Sequence, residues 1–178
     1  MTKPEGRMTK DSPSRPLADK AKGAFHIVAS RFNTQYVDGL IDHATEELRA
    51  LAPNATISLH RVPGSFEIPV VARELAAQHQ ADAIIACGVI LQGETNHAQN
   101  LGRSVTDALQ RIAIEHGVPV INAVLSFDNE NQARVRCLQN TINRGTEAAR
   151  AAVEIANVLS EVRSNQGAAV SKPPRDNG

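Results

Sequence analysis

The longest uninterrupted apolar segment of the chain covers residues 83–91 and reads Ala-Ile-Ile-Ala-Cys-Gly-Val-Ile-Leu. It is too short to cross a membrane, so it predicts a strand that is covered on both faces. Gly93 follows, and residues 94–97 (Glu-Thr-Asn-His) then lead into apolar positions with helical spacing. A buried strand, a glycine turn and a helix start are typical of the crevice at the carboxyl end of an open α/β sheet.

Shorter apolar stretches predict three more strands, over residues 24–29, 55–62 and 119–125. Apolar positions spaced three and four apart predict helices from Tyr36 to near Pro53, after residue 67, from His97 to Gly117, and from about Thr146 to Val162. Asn129 and Gln132 have the spacing of a capping box, which predicts a further helix start.

Strands that alternate with helices favour parallel pairing and right-handed crossovers. We therefore predict an α/β fold, a three-layer α/β/α sandwich around a four-stranded parallel sheet with flavodoxin-like strand order. Residues 1–22 and 164–178 are polar and lack apolar periodicity, so we expect flexible, disordered tails there. Residues 23–163 would form the single α/β domain.

Composition narrows the function classes. The 178 residues are 42% hydrophobic, which suffices for one sizeable core, and 19 basic residues balance 19 acidic ones. Because the charges balance, no overall positive field attracts nucleic acid, and we expect no nucleic-acid partner. No segment resembles a membrane span or a signal peptide, so we expect no membrane association either. Cys87 and Cys137 lack metal-ligand spacing and are interpreted as reduced thiols of a cytoplasmic protein.

The chemistry that remains is limited. No dinucleotide-binding glycine pattern, Walker-type lysine loop or metal-ligand cluster is found in the sequence. Free N–H groups in the first helical turn at His97 would favour an anion such as phosphate. By position alone, His97 fits a surface histidine and a proton-transfer group equally well. We therefore expect cofactor-free acid–base chemistry by one histidine combined with substrate positioning.

Other candidates also have two interpretations. Phe32 lies just past a strand end, where it would plug the core or stack on a flat heterocycle. Glu67 would complement a helix start or accept hydrogen bonds from substrate hydroxyls. Arg134, Arg136 and Arg144 would be solvated helix charges, or one of them would bind phosphate through its guanidinium fork.

Four blocks of the sequence are recognisable together: residues 30–33 (Ser-Arg-Phe-Asn), 62–69 (Val-Pro-Gly-Ser-Phe-Glu-Ile-Pro), 93–97 (Gly-Glu-Thr-Asn-His) and 143–149 (Asn-Arg-Gly-Thr-Glu-Ala-Ala). In order and spacing, from about residue 24 to 160, the chain resembles the 6,7-dimethyl-8-ribityllumazine synthase family. That family condenses 5-amino-6-ribitylaminouracil with 3,4-dihydroxy-2-butanone 4-phosphate in riboflavin biosynthesis and releases phosphate.

The resemblance implies a set of roles for the organic part of the substrates. Phe32 would stack on the pyrimidine ring. The side chains of Ser65, Phe66 and Glu67 would line the ribityl chain. The backbone of Val89, Ile90 and Leu91 would bind the polar edge of the pyrimidine. Asn122 would also contact the substrate, because it lies at a position that contacts the substrate in the family.

The resemblance also implies roles in phosphate binding and proton transfer. Glu94 and Thr95 would hold the phosphate at the helix start, and His97 would shuttle protons. Arg136 would bind the phosphate from a neighbouring subunit, with Arg144 as an accessory residue. In this family the pocket lies between subunits, so we expect pentamers or a shell of sixty subunits, with riboflavin synthase as a candidate partner.

The sequence departs from the family pattern at several positions. Asn122 stands where the family usually has a phenylalanine, Gln92 replaces a usual arginine, and Asn140 replaces a usual lysine. Residues 98–100 are not aromatic. These departures keep two alternatives open: a flavin- or lumazine-binding protein that has lost turnover, and a protein whose purpose is the shell itself.

Overall fold

The protein is described by a computed structural model that covers residues 23–165. Of the tails expected at residues 1–22 and 164–178, residues 1–22 and 166–178 lie outside the described residues. Ser164 and Asn165 were assigned to the C-terminal tail, and that assignment is wrong because both belong to the last helix. Within the described residues, no helix is long and apolar enough to span a bilayer.

The described part of the chain alternates strands and helices, as predicted. The strands are β1 (Ala24–Ser30), β2 (Thr56–Val62), β3 (Ala83–Leu91) and β4 (Val120–Phe127). The helices are α1 (Thr34–Leu51), α2 (Ile68–Ala77), α3 (His97–His116), α4 (Glu130–Cys137) and α5 (Arg144–Asn165), and one 3₁₀ turn covers Ser65–Glu67.

All strand pairs are parallel, and the strand order is β2-β1-β3-β4. Helices α1, α4 and α5 pack on one face of the sheet, and α2 and α3 pack on the other. The predicted three-layer α/β/α sandwich with flavodoxin-like order is therefore confirmed. The four carboxyl ends of the strands share one edge of the sheet, which collects the loops that carry the candidate residues.

Strand β3 divides the core into two clusters because successive side chains of a strand point to opposite faces. Ile85 packs with Leu40 and Leu48 of α1. Ile84 packs on the other face with Ile68 of α2 and Leu109 of α3. Every residue of β3 except the last is buried, which confirms the prediction of a strand covered on both faces.

Small residues explain how closely α1 and α5 approach. A Cβ added to Gly145 would lie 2.3 Å from the carbonyl oxygen of Leu40, so only glycine fits at this crossing. Ala148, Ala149 and Ala152 are buried in the same cluster. These small side chains let α1 and α5 pack closely against each other.

Several element boundaries differ from the predictions. Strand β4 begins after Pro119, which has no N–H to donate to a ladder, and it extends to Phe127 rather than to residue 125. At α4, Asn129 accepts a hydrogen bond from the N–H of Gln132, as expected of an N-cap. A capping box also requires the Gln132 side chain to accept the N–H of Asn129, and this part of the prediction is wrong. The Gln132 side chain accepts the N–H of Asp128 instead.

Candidate active site

The candidate site lies at the carboxyl ends of β1 and β3. The strand order reverses between these two strands, and open α/β sheets bind their ligands at such a switch point. The β1–β3 ladder ends at the pair Ala29 and Cys87, whereas β3 continues beside β4 as far as Leu91. The last residues of β3 therefore have no strand partner on the β1 side, and this break in the ladder is called the gap below.

Phe32 lies in the loop after β1, one residue before Asn33, whose side chain bonds the end of β3. Its side chain is 68% exposed, which excludes the interpretation as a core plug. The ring lies against Gly64, since a Cβ added there would be 3.3 Å from Phe32 Cδ2. The N–H of Arg31 donates to the carbonyls of Val62 (2.9 Å) and Pro63 (3.2 Å), which fixes this loop against the loop after β2.

The loop after β2 supplies three of the predicted residues. Ser65 is 5% exposed, and its hydroxyl lies over Gly88 of β3, where an added Cβ would be 2.6 Å from Ser65 Oγ. Phe66 is 68% exposed beside it. The carboxylate of Glu67 accepts the N–H of Gly64 at 2.8 Å, so one of its oxygens closes the turn before α2.

The start of α3 carries Glu94, Thr95 and His97, and all three are exposed. The side chain of the N-cap residue Asn96 accepts no hydrogen bond from the first turn, and that turn has no acidic residue. The N–H of His97 makes a long contact of 3.4 Å with Thr95 Oγ1. An uncapped helix N-terminus has free amide donors and a partial positive charge, which suit an anion.

The remaining predicted residues line a separate groove of about 1040 Å³ between β4, α4 and α5. Asn122, Arg136 and Arg144 belong to its lining, and Arg144 is paired with Glu147 at 2.5 Å. None of the predicted residues from the ends of β1, β2 and β3 lines this groove. One chain therefore does not bring the two groups into one cavity.

The side chain of Asn122 is engaged within the chain. Its amide donates to Thr106 Oγ1 of α3 at 3.1 Å, and its carbonyl oxygen accepts the N–H of Val124 at 3.0 Å. The first bond ties the edge strand β4 to α3, and the second lies within β4. A contact between Asn122 and a substrate stays a prediction.

Two residues near the gap were not predicted from the sequence. The side-chain amide of Asn33 donates to the carbonyl of Val89 at 2.8 Å. Ser30, at the end of β1, is fully buried, and its hydroxyl has no hydrogen-bond partner among the described residues. Both residues belong to the recognised block of residues 30–33. The available signals were the place of Asn33 directly before a helix and the place of Ser30 at a strand end.

The cysteines are free and buried, as expected of reduced thiols. Burial raises the pKa of Cys87 to about 12, and Cys137 adds to the effect. Burial likewise raises the pKa of Cys137 to about 12. Both thiols therefore stay protonated at neutral pH and do not act as nucleophiles. Among residues 23–165, no group of three or more His, Cys, Asp or Glu side chains is placed to hold a metal ion.

Comparison with known proteins identifies the family. A sequence model described as 6,7-dimethyl-8-ribityllumazine synthase matches residues 22–160.

Individual proteins that carry this same name are also similar to the chain, among them the following three. One from Paraburkholderia phymatum is 41% identical over 142 residues, which cover 79% of this chain and 80% of the relative. One from Stenotrophomonas maltophilia is 36% identical over 78% of this chain and 90% of the relative. One from Azoarcus sp. is 37% identical over 75% of this chain and 83% of the relative. Because the match spans most of both partners in each comparison, the chain belongs to the 6,7-dimethyl-8-ribityllumazine synthase family.

Proposed function

We propose that this chain is a transferase that condenses 5-amino-6-ribitylaminouracil with 3,4-dihydroxy-2-butanone 4-phosphate. The products would be 6,7-dimethyl-8-ribityllumazine, inorganic phosphate and two molecules of water, and the reaction would be a step of riboflavin biosynthesis. Family membership supports the reaction. The observation that carries the proposal is the switch-point gap, where an exposed aromatic ring, the end of a buried strand and an uncapped helix start meet at one edge of the sheet.

The pyrimidine would bind between Phe32 and the end of β3. An exposed aromatic ring offers a stacking surface to a flat heterocycle. Because β3 has no β1 partner beyond Cys87, its backbone on that side has no ladder bonds past this pair, and the Asn33 amide takes only the carbonyl of Val89. The polar edge of the ring would bind to the backbone of residues 89–91 there. Ser65, Phe66 and Glu67 would line the ribityl chain, with the carboxylate accepting bonds from its hydroxyls.

The phosphate would bind at the start of α3. Thr95 offers a hydroxyl and a backbone amide, and the uncapped first turn adds a favourable dipole. The carboxylate of Glu94 repels an anion, so this residue would contribute through its backbone. Arg136 of a neighbouring subunit would complete the site with a guanidinium fork, and Arg144 would add positive charge nearby.

Proton transfer by His97 would drive the chemistry. Each of the two amino groups of the pyrimidine would condense with a carbonyl carbon of the four-carbon substrate, the second one formed by the loss of phosphate, so that two C–N bonds form and two waters leave. Elimination of phosphate requires a proton to leave the neighbouring carbon as the C–O bond breaks. Neither step changes the oxidation state of the two substrates taken together, so an imidazole that accepts and returns protons suffices and no cofactor is needed.

The assembled protein would be a pentamer or a shell of sixty subunits. The groove between β4, α4 and α5 of one subunit would face the carboxyl ends of β1 and β3 in the next subunit. This arrangement would bring Asn122 and Arg136 to the substrates. Riboflavin synthase, which would use the lumazine product, is a candidate partner. The two free thiols fit a cytoplasmic location.

The test is direct. We expect purified protein mixed with both substrates to form lumazine, followed by its absorbance, with one phosphate released for each product. Each substrate incubated alone with the protein is the control. Tight binding of the pyrimidine without product would contradict turnover and favour the binding-protein alternative, which the names of the relatives do not favour.

A further inference from the structure

Asn33 occupies an unusual backbone conformation directly after the exposed ring of Phe32. Its φ of 55° and ψ of 44° lie in the left-handed region, where only one other non-glycine residue of the described chain, His79, has a positive φ. Asparagine is among the few non-glycine residues that adopt this region readily. The conformation turns the chain from β1 into α1 and leaves the Asn33 side chain pointing across the sheet.

The Asn33 side chain does not serve the helix that it precedes. An asparagine before a helix normally accepts an N–H of the first turn through its side-chain oxygen. Here there is no such bond, and the backbone carbonyl of Asn33 accepts the N–H groups of Tyr36 and Val37 instead. The side-chain amide donates to the carbonyl of Val89, a residue 56 positions away in sequence.

The partner of this bond lies where β3 has lost its β1 neighbour. The ladder between the two strands stops at Cys87, and Val89 is two residues further along. The amide of Asn33 therefore replaces a ladder donor and bridges the gap at the switch point. One residue thus joins the loop that carries Phe32 to the strand end that faces it.

We propose that Asn33 is a positioning residue that sets the spacing between Phe32 and the end of β3, and thereby the affinity for the pyrimidine. This inference rests on the proposed function, which places the pyrimidine in the gap between these walls. The bond holds a loop and a strand end that no ladder holds together. Without it, the stacking wall would move relative to the polar edge, whereas the phosphate site at the start of α3 would keep its geometry.

Two substitutions separate the amide from the backbone conformation. Asn33→Gly keeps the left-handed conformation at no steric cost and removes the donor. Asn33→Asp keeps the size of the side chain but places an acceptor opposite the Val89 carbonyl. His79→Gly is the matched control, because it changes the other left-handed residue, which lies outside every group of candidate residues.

We expect Asn33→Gly to raise the dissociation constant for 5-amino-6-ribitylaminouracil about three- to tenfold, the effect of one lost hydrogen bond. Asn33→Asp should weaken binding further. Calorimetry with the pyrimidine alone measures this, and steady-state kinetics should show a higher KM for the pyrimidine with an unchanged KM for the phosphorylated substrate. Thermal melting of each variant checks folding, and the His79→Gly control should bind like the wild type.

Unchanged pyrimidine binding in Asn33→Gly, or equal effects on both substrates, would overturn the positioning role. Should Asn33→Gly fail to fold, Asn33→Asp carries the same test. A wild-type protein that binds the pyrimidine without forming lumazine would refute the proposed turnover and leave this test intact. A wild-type protein that does not bind the pyrimidine would overturn both proposals.

Discussion

His97 is the side chain on which the proposed proton transfers depend. It is exposed at the start of α3, beside the amides that would hold the phosphate. We expect His97→Ala to lower kcat by roughly a hundred- to ten-thousand-fold, the range for loss of a general acid–base group, with the fold unchanged. His79→Gly, at another exposed histidine, is the control, since glycine keeps its left-handed backbone. A wild-type kcat in the His97 variant would remove this residue from the chemistry.

Ser30 makes a different prediction at the residue scale, one about stability. Its buried hydroxyl has no partner among the described residues, and an unsatisfied buried hydroxyl lowers stability. We expect Ser30→Ala to raise the free energy of unfolding by up to about 1 kcal/mol, measured by urea denaturation. Ser58→Ala on the half-exposed edge strand should change it little. A clear loss of stability in Ser30→Ala would show that the hydroxyl is bonded in solution.

At the scale of elements, apolar periodicity predicted every strand and the main helices, because burial against the sheet imposes the spacing of two in strands and three to four in helices. The parallel pairing that the alternation of strands and helices favoured brings the candidate loops to one edge of the sheet. The bond from Asn33 to Val89 could not be predicted, since its partners are 56 residues apart and no local pattern specifies them. The reciprocal bond of Gln132 failed for a similar reason: two neighbouring N–H groups compete for one side chain.

Strands β1 and β2 are also joined by a pair of histidines. Nδ1 of His26 lies 3.1 Å from Nε2 of His60, so one ring donates and the other must remain neutral to accept. Burial, followed by the nearby charge of His60, lowers the pKa of His26. The unfolded chain therefore takes up a proton at His26 more readily than the folded chain does. The resulting stability is present above the unfolded pKa of about 6.5 and is lost as the pH falls below it.

We therefore expect the urea midpoint to fall between about pH 7.5 and pH 5.5. The double substitution His26→Gln and His60→Gln should flatten this dependence, while His43→Gln, on α1, should leave it in place. An unchanged pH dependence in the double variant would show that the pair does not control acid stability. The measurement tests whether the histidine pair stabilises the contact between β1 and β2, the strands that lead into the loops of Phe32 and Ser65.

At the scale of the whole molecule, the candidate residues form two groups that one chain keeps apart. His97 belongs to the edge of the sheet at β1 and β3, whereas Arg136 lines the groove between β4, α4 and α5. If the site lies between subunits, a complete site takes His97 from one subunit and Arg136 from the next. A head-to-tail ring of this kind offers one such pairing at every interface.

Mixed assemblies test this arrangement. We expect Arg136→Ala alone to raise the KM for the phosphorylated substrate far more than for the pyrimidine, and His97→Ala alone to lose turnover. When the two variants are dissociated, mixed equally and reassembled, about a quarter of the interfaces should join an intact His97 to an intact Arg136. Lumazine formation at low substrate concentration should then return towards a quarter of the wild-type rate. An activity equal to the mean of the two separate variants would place both residues in a site within one subunit, since exchange would then create no complete site.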